Sequence, residues 1–422
     1  MRSRYLTLFI LLGLVLGIAV GYACFRLAPD SAADIAQTAG LLPTIFLRLI
    51  KMIIAPLVFS TLTVGIARMG DIQTVGRVGG RTLGWFVFAS LLSLSLGLLL
   101  VNLLEPGKVM HLPLPEANAH TDVETTSLSM QGFIAHMVPT SIIDAMAHNE
   151  ILQIVVFALF FGSAAAAAGE RVKVLIEALD AVAHVMLKVT GTVMLFAPLA
   201  VFGALVSTVA QQGLSIVAAY GVFMGEFYLS MLLLWVVLIG LGSIFLGRRV
   251  LDLMRRVRGP ILLAFSTASS EAAYPKTLEE LERFGCSNKI ASFVLPMGYS
   301  FNLDGSMIYC TFAVMFIAQS YGIELSVAQQ LTMLLILMLT SKGMAGVPRA
   351  SLVVIAATLN QFNIPEAGLL LLLGIDHFLD MGRSATNVVG NSIASAVVAR
   401  WEGELGSPSG SASAHHTLND IA

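Results

Sequence analysis

Charge is what this sequence has least of. Asp, Glu, Lys and Arg together make up 12% of its 422 residues, about half the roughly 25% usual for soluble domains. Combined with the long apolar runs described below, that scarcity excludes a soluble enzyme, a DNA-binding protein and a disordered chain. Cysteine is scarce as well: Cys24, Cys286 and Cys310 give no disulfide or metal framework. There is no phosphate-binding loop, no His-Glu-x-x-His, no Gly-x-Ser-x-Gly and no Gly-x-Gly-Asp. ATP is therefore not the driver, and no nucleophile or metal is indicated.

What is abundant is apolar sequence, 57% of the chain. Uncharged runs at 6–25, 82–104, 151–169, 189–225, 227–247 and 305–323 are each about a bilayer span or longer. Barrel strands would instead alternate over segments of about ten residues. The expected fold class is an all-α, multi-span membrane protein. The start, Met-Arg-Ser-Arg before an apolar run without an Ala-x-Ala site, reads as a retained first helix. Basic residues gather at Arg2/Arg4, Arg68/Arg77/Arg81, Arg171/Lys173 and Arg248 to Arg258, whereas 105–130 carries only Lys108. The positive-inside rule makes the N-terminus cytoplasmic, the 105–130 loop external and the 248–258 cluster cytoplasmic. Six spans are expected before residue 250, near 6–27, 40–67, 82–104, 135–169, 173–209 and 214–247. The stretch 404–422 is small and polar and is expected to be a disordered cytoplasmic tail.

After Pro260, polar, Gly and Pro clusters sit inside the apolar segments instead of between them. Ser266 to Pro275 and Thr340 to Pro348 each place a Ser-rich tip, closed by a Pro, between arms too short to span twice. Each reads as a re-entrant helical hairpin. Gly298 to Ser306 and Asp376 to Asn391 each contain Asn-x-x-Gly, at Asn302/Gly305 and Asn387/Gly390. The order tip, Asn-x-x-Gly, tip, Asn-x-x-Gly is an internal repeat of interrupted segments, the best sequence pointer to a transporter's midplane site. Broken helices expose N–H and C=O groups that lipid cannot satisfy but a substrate and a cation can.

In the last segment Asp376, Asp380, Arg383, Ser384, Asn387 and Asn391 fall within an arc of about 100° on a helix. Such a stripe is costly in a membrane unless it faces a polar cavity. The bland alternative is an Asp380–Arg383 pair that only neutralises itself. Asp304, in Asn-Leu-Asp-Gly-Ser, offers a cation a carboxylate at a helix break, or is simply a satisfied kink. Arg48 and Lys51 are expected to snorkel, Glu226 to sit near a membrane surface, and Glu279, Glu280 and Glu282 to form a solvated face. His136, His148 and His184 lack metal-ligand spacing. Three classes remain at this point: a secondary transporter for a small anionic solute, an intramembrane aspartyl protease, and a channel. An acid and an arginine on one face favour an occluded solute site over a ring of one sign.

Ser-Ser-Glu at 269–271, Asn-Leu-Asp-Gly-Ser at 302–306, Ser-Lys-Gly-x-Ala-Gly-Val-Pro at 341–348 and Asp-Met-Gly-Arg-x-x-x-Asn at 380–387 resemble the dicarboxylate/amino acid:cation symporter family. The similarity runs from the first helix to about Trp401. It implies eight transmembrane helices plus two re-entrant hairpins, a homotrimer in the bacterial inner membrane with both termini cytoplasmic, and an elevator mechanism. The implied division is scaffold helices one and two at 1–81, transport helix three with an external loop at 82–130, scaffold helices four and five at 131–212, and the main transport domain at 213–403. No enzymatic activity, organic cofactor or nucleic-acid partner is implied.

Carried over by position, Arg383 would hold the substrate's side-chain carboxylate, Asp380 its ammonium and Asn387 its α-carboxylate, with Ser269, Ser270, Ser306, Ser384 and the Ala345, Gly346, Val347 and Pro348 backbone completing the pocket. The implied cation-coupling residues are Asp304, Asn302, Gly298, Asn391, Ser90, Glu271 and Asp376, and Asn302 with Asp304 is where a sodium site would survive. The expected substrate is glutamate or aspartate; a C4-dicarboxylate is the alternative. Asn391 replaces a carboxylate of sodium-coupled relatives, Ala89 a threonine, and Lys342 adds a positive charge, so protons are expected as the coupling ion, with sodium as the alternative. Cys310 stands where animal relatives carry a titrating Glu, and Ala268 where archaeal ones carry an Arg. Glu271 is then the first choice of proton carrier, ahead of Asp304, Asp376 and His377.

Overall fold

The structure, a computed structural model, describes residues 3–67, 72–109, 138–213, 220–341 and 350–406. Among these residues the secondary structure is helical, apart from one isolated bridge between Cys286 and Leu405. The helices are α1 (Ser3–Leu27), α2 (Ala32–Ala39), α3 (Leu41–Ala67), α4 (Ile72–Leu104), α5 (Ile142–His148), α6 (Ile151–Ala168), α7 (Lys173–Val193) and α8 (Ala197–Gln212). They continue with α9 (Gly221–Leu246), α10 (Arg249–Thr267), α11 (Tyr274–Phe284), α12 (Asn288–Phe301), α13 (Asp304–Ser320), α14 (Val327–Thr340), α15 (Ala350–Gln361) and α16 (Asp376–Trp401). Six helical stretches among the described residues are long and apolar enough to cross a membrane: Leu8–Leu27, Pro29–Ala67, Gln73–Lys108, Ile151–Gln211, Gly221–Leu246 and Asn288–Ser320. Leu12 and Val15 on α1 and Leu232 and Val236 on α9 are exposed, a lipid-facing surface that would be a liability in water.

Several boundaries differ from the sequence reading. The third span begins at Ile72, ten residues before the apolar run, because Arg77 and Arg81 are helical and bond the Glu402 carboxylate at 3.1 and 2.7 Å. The expected domain division at 81/82 therefore falls inside one helix. The fourth span is interrupted at Asn149, which takes a left-handed φ of 56° between α5 and α6. The fifth is bent through a short 3-10 turn, Met194–Phe196, ahead of Pro198. The expected tail start is also corrected: Glu404 accepts from Ser287 N–H and pairs with Lys289, and Gly406 N–H donates to Gly285. Residues 407–422, like Ala345 to Pro348, Lys342 and His136, lie outside the described residues.

The first hairpin has the form that Ser-rich tips and a closing Pro lead one to expect. α10 stops where Ala268 turns left-handed (φ 48°), a 3-10 turn spans Glu271–Ala273, and α11 starts with Pro275 in its first turn. The second has arms α14 and α15, with α14 opened by a capping box between Ser326 and Gln329. The glutamates after the first hairpin are not a simple solvated face: Glu280 is buried and meets Lys276 at 3.2 Å, and Glu282 accepts from Asn288 Nδ2 at 2.6 Å.

Close helix contacts depend on small residues. α1 carries Gly13, Gly17 and Gly21 at four-residue spacing against α8; a Cβ on Gly17 would lie 2.8 Å from Phe202 O and 2.9 Å from Leu205 Cβ. In lipid, where no apolar driving force brings helices together, that close approach is what holds the pair. α13 and α16 are buried almost throughout and form the centre of the molecule.

Candidate functional site

The chemistry gathers where α16 crosses the break between α12 and α13. α12 ends at Phe301, and Asn302 (φ −129°) and Leu303 are non-helical before Asp304 restarts the helix. The two Asn-x-x-Gly motifs meet here reciprocally. Gly305 N–H donates to Asn387 Oδ1 at 2.9 Å, and a Cβ on Gly390 would collide with Asp304 Oδ2 and lie 3.4 Å from Asn302 Nδ2. Gly305 itself is needed because a Cβ there would strike the Arg383 carbonyl, and Gly298 because one there would strike Asn391. The internal repeat is thus a packing repeat: Gly390 admits the Asp304 and Asn302 side chains, and Gly305 admits the α16 backbone at Arg383.

Asp304, fully buried, accepts from Ser93 Oγ at 3.0 Å on one oxygen and from Asn302 Nδ2 at 3.0 Å on the other. Asn302 Nδ2 also donates to Asn391 Oδ1 at 3.1 Å. Asn302 Oδ1 and Asn391 Nδ2 are buried with no hydrogen-bond partner. Ser90 Oγ donates weakly to Phe301 O at 3.5 Å. Asn302, Asp304, Asn391 and Ser90 are therefore brought together, and Gly298 lies against Asn391.

Arg383 forms a second centre, one turn away. Its Nη2 pairs with Asp376 at 3.2 Å and with Asp380 at 3.0 Å, and its guanidinium lies 4.1 Å from the centre of the Tyr309 ring. Tyr309 Oη donates to the same Asp376 oxygen at 3.2 Å. The two acids differ in setting: the Asp376 side chain is 4% exposed and the Asp380 side chain 39%. Arg383 Nε and Nη1 are buried without a hydrogen-bond partner, so two N–H edges of a fixed cation remain for an incoming anion. Asp376, expected among the cation-coupling residues, sits beneath Arg383. Ser384 and Ser306 are buried nearby on α16 and α13. Ser269 accepts from Ala272 N–H at 3.2 Å, which shapes the hairpin tip, and Ser270 precedes its 3-10 turn. Glu271 lines a crevice with Ile54, Val58, Ile151, Tyr274, Pro296 and Tyr299.

Four contributors were not anticipated from sequence. Ser93 is one turn beyond Ser90 on the same face of α4, a spacing that could have revealed it. Tyr309 had no signal beyond being an aromatic in an apolar helix. Tyr228 and Trp235 of α9 bond α16 through Phe378 O at 2.6 Å and Thr386 Oγ1 at 2.9 Å. Among the described residues no group of three or more His, Cys, Asp and Glu could hold a metal.

A broken helix, hairpins and a buried, charge-bearing stripe within an all-helical, membrane-spanning chain define a membrane solute carrier. The chain belongs to the sodium:dicarboxylate symporter family, whose model matches residues 6–401. It is 40% identical over 416 residues to a proton/sodium-glutamate symport protein of Bacillus caldotenax, covering 97% of each chain. It is also 40% identical over 402 residues to a C4-dicarboxylate transport protein of Citrifermentans bemidjiense, covering 94% of this chain and 90% of the relative. A C4-dicarboxylate transport protein of Bacillus subtilis is 37% identical over 406 residues, at 95% and 94% coverage.

Proposed function

We propose that the protein is a secondary active symporter that imports glutamate or aspartate with protons, and that its eight transmembrane helices and two re-entrant hairpins work as an elevator within a homotrimer of the bacterial inner membrane, both termini cytoplasmic. In this reading α1, α3 and α5 to α8 form the scaffold, and α4 with α9 to α16 forms the body that travels. The chain performs transport and no covalent chemistry, and needs no organic cofactor.

One observation carries the substrate assignment: Asp380 is the exposed carboxylate bound to Arg383, whereas Asp376 is the buried one. An acidic amino acid brings both charges this pair needs. Its side-chain carboxylate takes the free edges of Arg383, and its ammonium takes Asp380. Asn387, whose Nδ2 is not committed to Gly305, is left to hold the α-carboxylate. A C4-dicarboxylate has no ammonium, and it would leave Asp380 facing a second anion at a cost of several kcal/mol in a desolvated pocket. The equal identity to carriers named for C4-dicarboxylates keeps that alternative specific, and Asp380 is the residue that separates the two readings.

The proton assignment is supported by the Asp304 surroundings. Both of its oxygens already accept hydrogen bonds, and its neighbour is the neutral Asn391. Sodium needs several oxygens aimed at one point, preferably with more carboxylate. The test uses purified protein in liposomes. Labelled aspartate uptake is expected under an inward pH gradient without sodium, and unlabelled glutamate should suppress it where succinate does not. Asp380→Ala should abolish it. Succinate competing better than glutamate, or uptake that needs sodium and ignores pH, would overturn the corresponding half.

A further inference from the structure

The start of α10 carries positive charge that the fold leaves uncompensated. From Arg248 to Arg258 there are five arginines and one acid, Asp252. Arg249 turns inward, donating to the Phe284 and Gly406 carbonyls at 3.3 and 2.7 Å, with its guanidinium 5.0 Å from the centre of the Phe284 ring. Arg255 takes Asp252 at 2.9 Å. Arg248, Arg256 and Arg258 have no acidic partner among the described residues. The acids of neighbouring α11 are themselves engaged, Glu279 and Glu280 by Lys276 and Arg283, and Glu282 by Asn288. Beyond α16, Glu402 is held by Arg77 and Arg81, and Glu404 by Lys289.

Helical periodicity sorts the residues of this segment. Val250, Leu253 and Val257 are buried, which leaves Leu251, Asp252, Arg255 and Arg258 exposed on the other side and Arg256 half-buried. Asp252, Arg255, Arg256 and Arg258 line a hollow of about 460 Å³, inside the roughly 300–1,000 Å³ of small-molecule sites. The level of the hollow in the membrane follows from α9, an apolar span that ends at Leu246, after which Gly247 (φ 58°) turns the chain directly into the arginines. At that end of α9, Trp401 meets Trp85 at 5.8 Å and Phe245 at 5.2 Å. Such aromatic groups gather at the membrane–water boundary. Ile244 and Leu251, on either side of the turn, are exposed.

We propose that this face of α10 is a binding site for the phosphate headgroup of an anionic phospholipid, held by Arg255, Arg256 and Arg258, while the exposed Ile244 and Leu251 meet the apolar part of the same molecule. The site is separate from the transport centre and independent of the substrate and coupling ion assigned above. A guanidinium fork matches phosphate oxygens in geometry as well as charge. Basic pockets at the ends of membrane helices draw acidic lipids for that reason. A free phosphate shares the headgroup's chemistry but offers nothing to the two exposed aliphatic side chains.

Native mass spectrometry of the purified full-length protein in detergent tests this. Dioleoyl phosphatidylglycerol should be retained, whereas dioleoyl phosphatidylethanolamine, with the same chains and no net charge, and inorganic phosphate should each bind more weakly. The double variant Arg256→Gln, Arg258→Gln should weaken phosphatidylglycerol binding about thirtyfold, roughly fivefold for each arginine near a membrane surface. Arg171→Gln with Lys173→Gln, a basic pair on another turn, should leave it unchanged. Undiminished binding by the first variant overturns the site, and an equal loss in both variants does so too, because it would mean general attraction of charge. Phosphatidylethanolamine or phosphate binding as tightly as phosphatidylglycerol overturns the anionic-lipid assignment. Should the double variant not fold, Arg258→Glu decides: weakened phosphatidylglycerol binding supports the site and unchanged binding overturns it.

Discussion

Arg383 shows how much one side chain can be made to do when its surroundings fix it. Tyr309 covers one face of the guanidinium, and Asp376 neutralises it from beneath without reaching the open side. Asp380, the more exposed of its two acids, is the one that meets the substrate in the proposed assignment. In the proposed substrate assignment, replacing Arg383 by Cys removes the charge that selects an acidic side chain but leaves Asp380 and Asn387 to grip the common amino-acid end. Arg383→Cys is expected to lose aspartate uptake by two orders of magnitude or more and to gain measurable serine or alanine uptake. Unchanged aspartate affinity would refute the assignment. Cys310, next to Tyr309, is fully buried and stands behind this group.

At the level of elements, α9 sets the register of α16. Tyr228 and Trp235 are seven residues apart on α9 and bond positions eight apart on α16, Phe378 and Thr386. Asp380, Arg383 and Ser384 lie between these anchors. Gly382 lets the helices close, since a Cβ there would collide with Met231 and lie 2.9 Å from the Tyr228 ring. Tyr228→Phe and Trp235→Phe each remove one neutral hydrogen bond, about 0.5–1.5 kcal/mol. Each should raise KM for aspartate up to about tenfold with maximal rate little changed, and the double variant more than either. A second element-level device is the C-terminal clasp, where residues 402–406 bind α4, the α11–α12 turn and Arg249. Cys286 lies under it, and burial pushes its thiol up to about 12. It should therefore stay protonated and resist maleimide near neutral pH, reacting only when Glu402→Ala loosens the clasp. Fast labelling of Cys286 in the intact protein would contradict the clasp.

For the whole molecule, the crevice between the first hairpin and α3 is the contact that the proposed elevator has to break. Val58 on α3 and Tyr274 on α11 both line it. With the native cysteines replaced, a Val58→Cys, Tyr274→Cys pair joined by a short bifunctional thiol reagent should stop uptake reversibly, while either single variant treated alike keeps working. Uptake that continues in the cross-linked pair would show that the hairpin and α3 need not separate. The same picture explains why the long apolar faces of α1 and α9 are exposed while α13 and α16 are not. The helices that carry the buried polar stripe are shielded from lipid by helices whose outward faces are apolar.

Sequence alone determined the membrane class, the first hairpin, the break at Asn302 and the polar stripe of α16. Each is a local property: run length, a Ser-rich tip before Pro, a helix-breaking Asn-x-Asp-Gly, and a periodicity of polar groups around one helix. The pairing of motifs was legible only as a repeat in order. That Asn387 meets Gly305 and Asn302 meets Asn391 depends on how α16 crosses α13, which no spacing along the chain encodes. Tertiary structure alone also brought Ser93 to Asp304, supplied Tyr228 and Trp235 from another helix, and ordered residues 404–406 that composition marks as tail. For Ser93, Tyr228 and Trp235 the physical reason is the same. A buried polar group must find a partner wherever the fold provides one, and in a helical membrane protein that partner sits on a neighbouring helix, distant in sequence and unmarked by it.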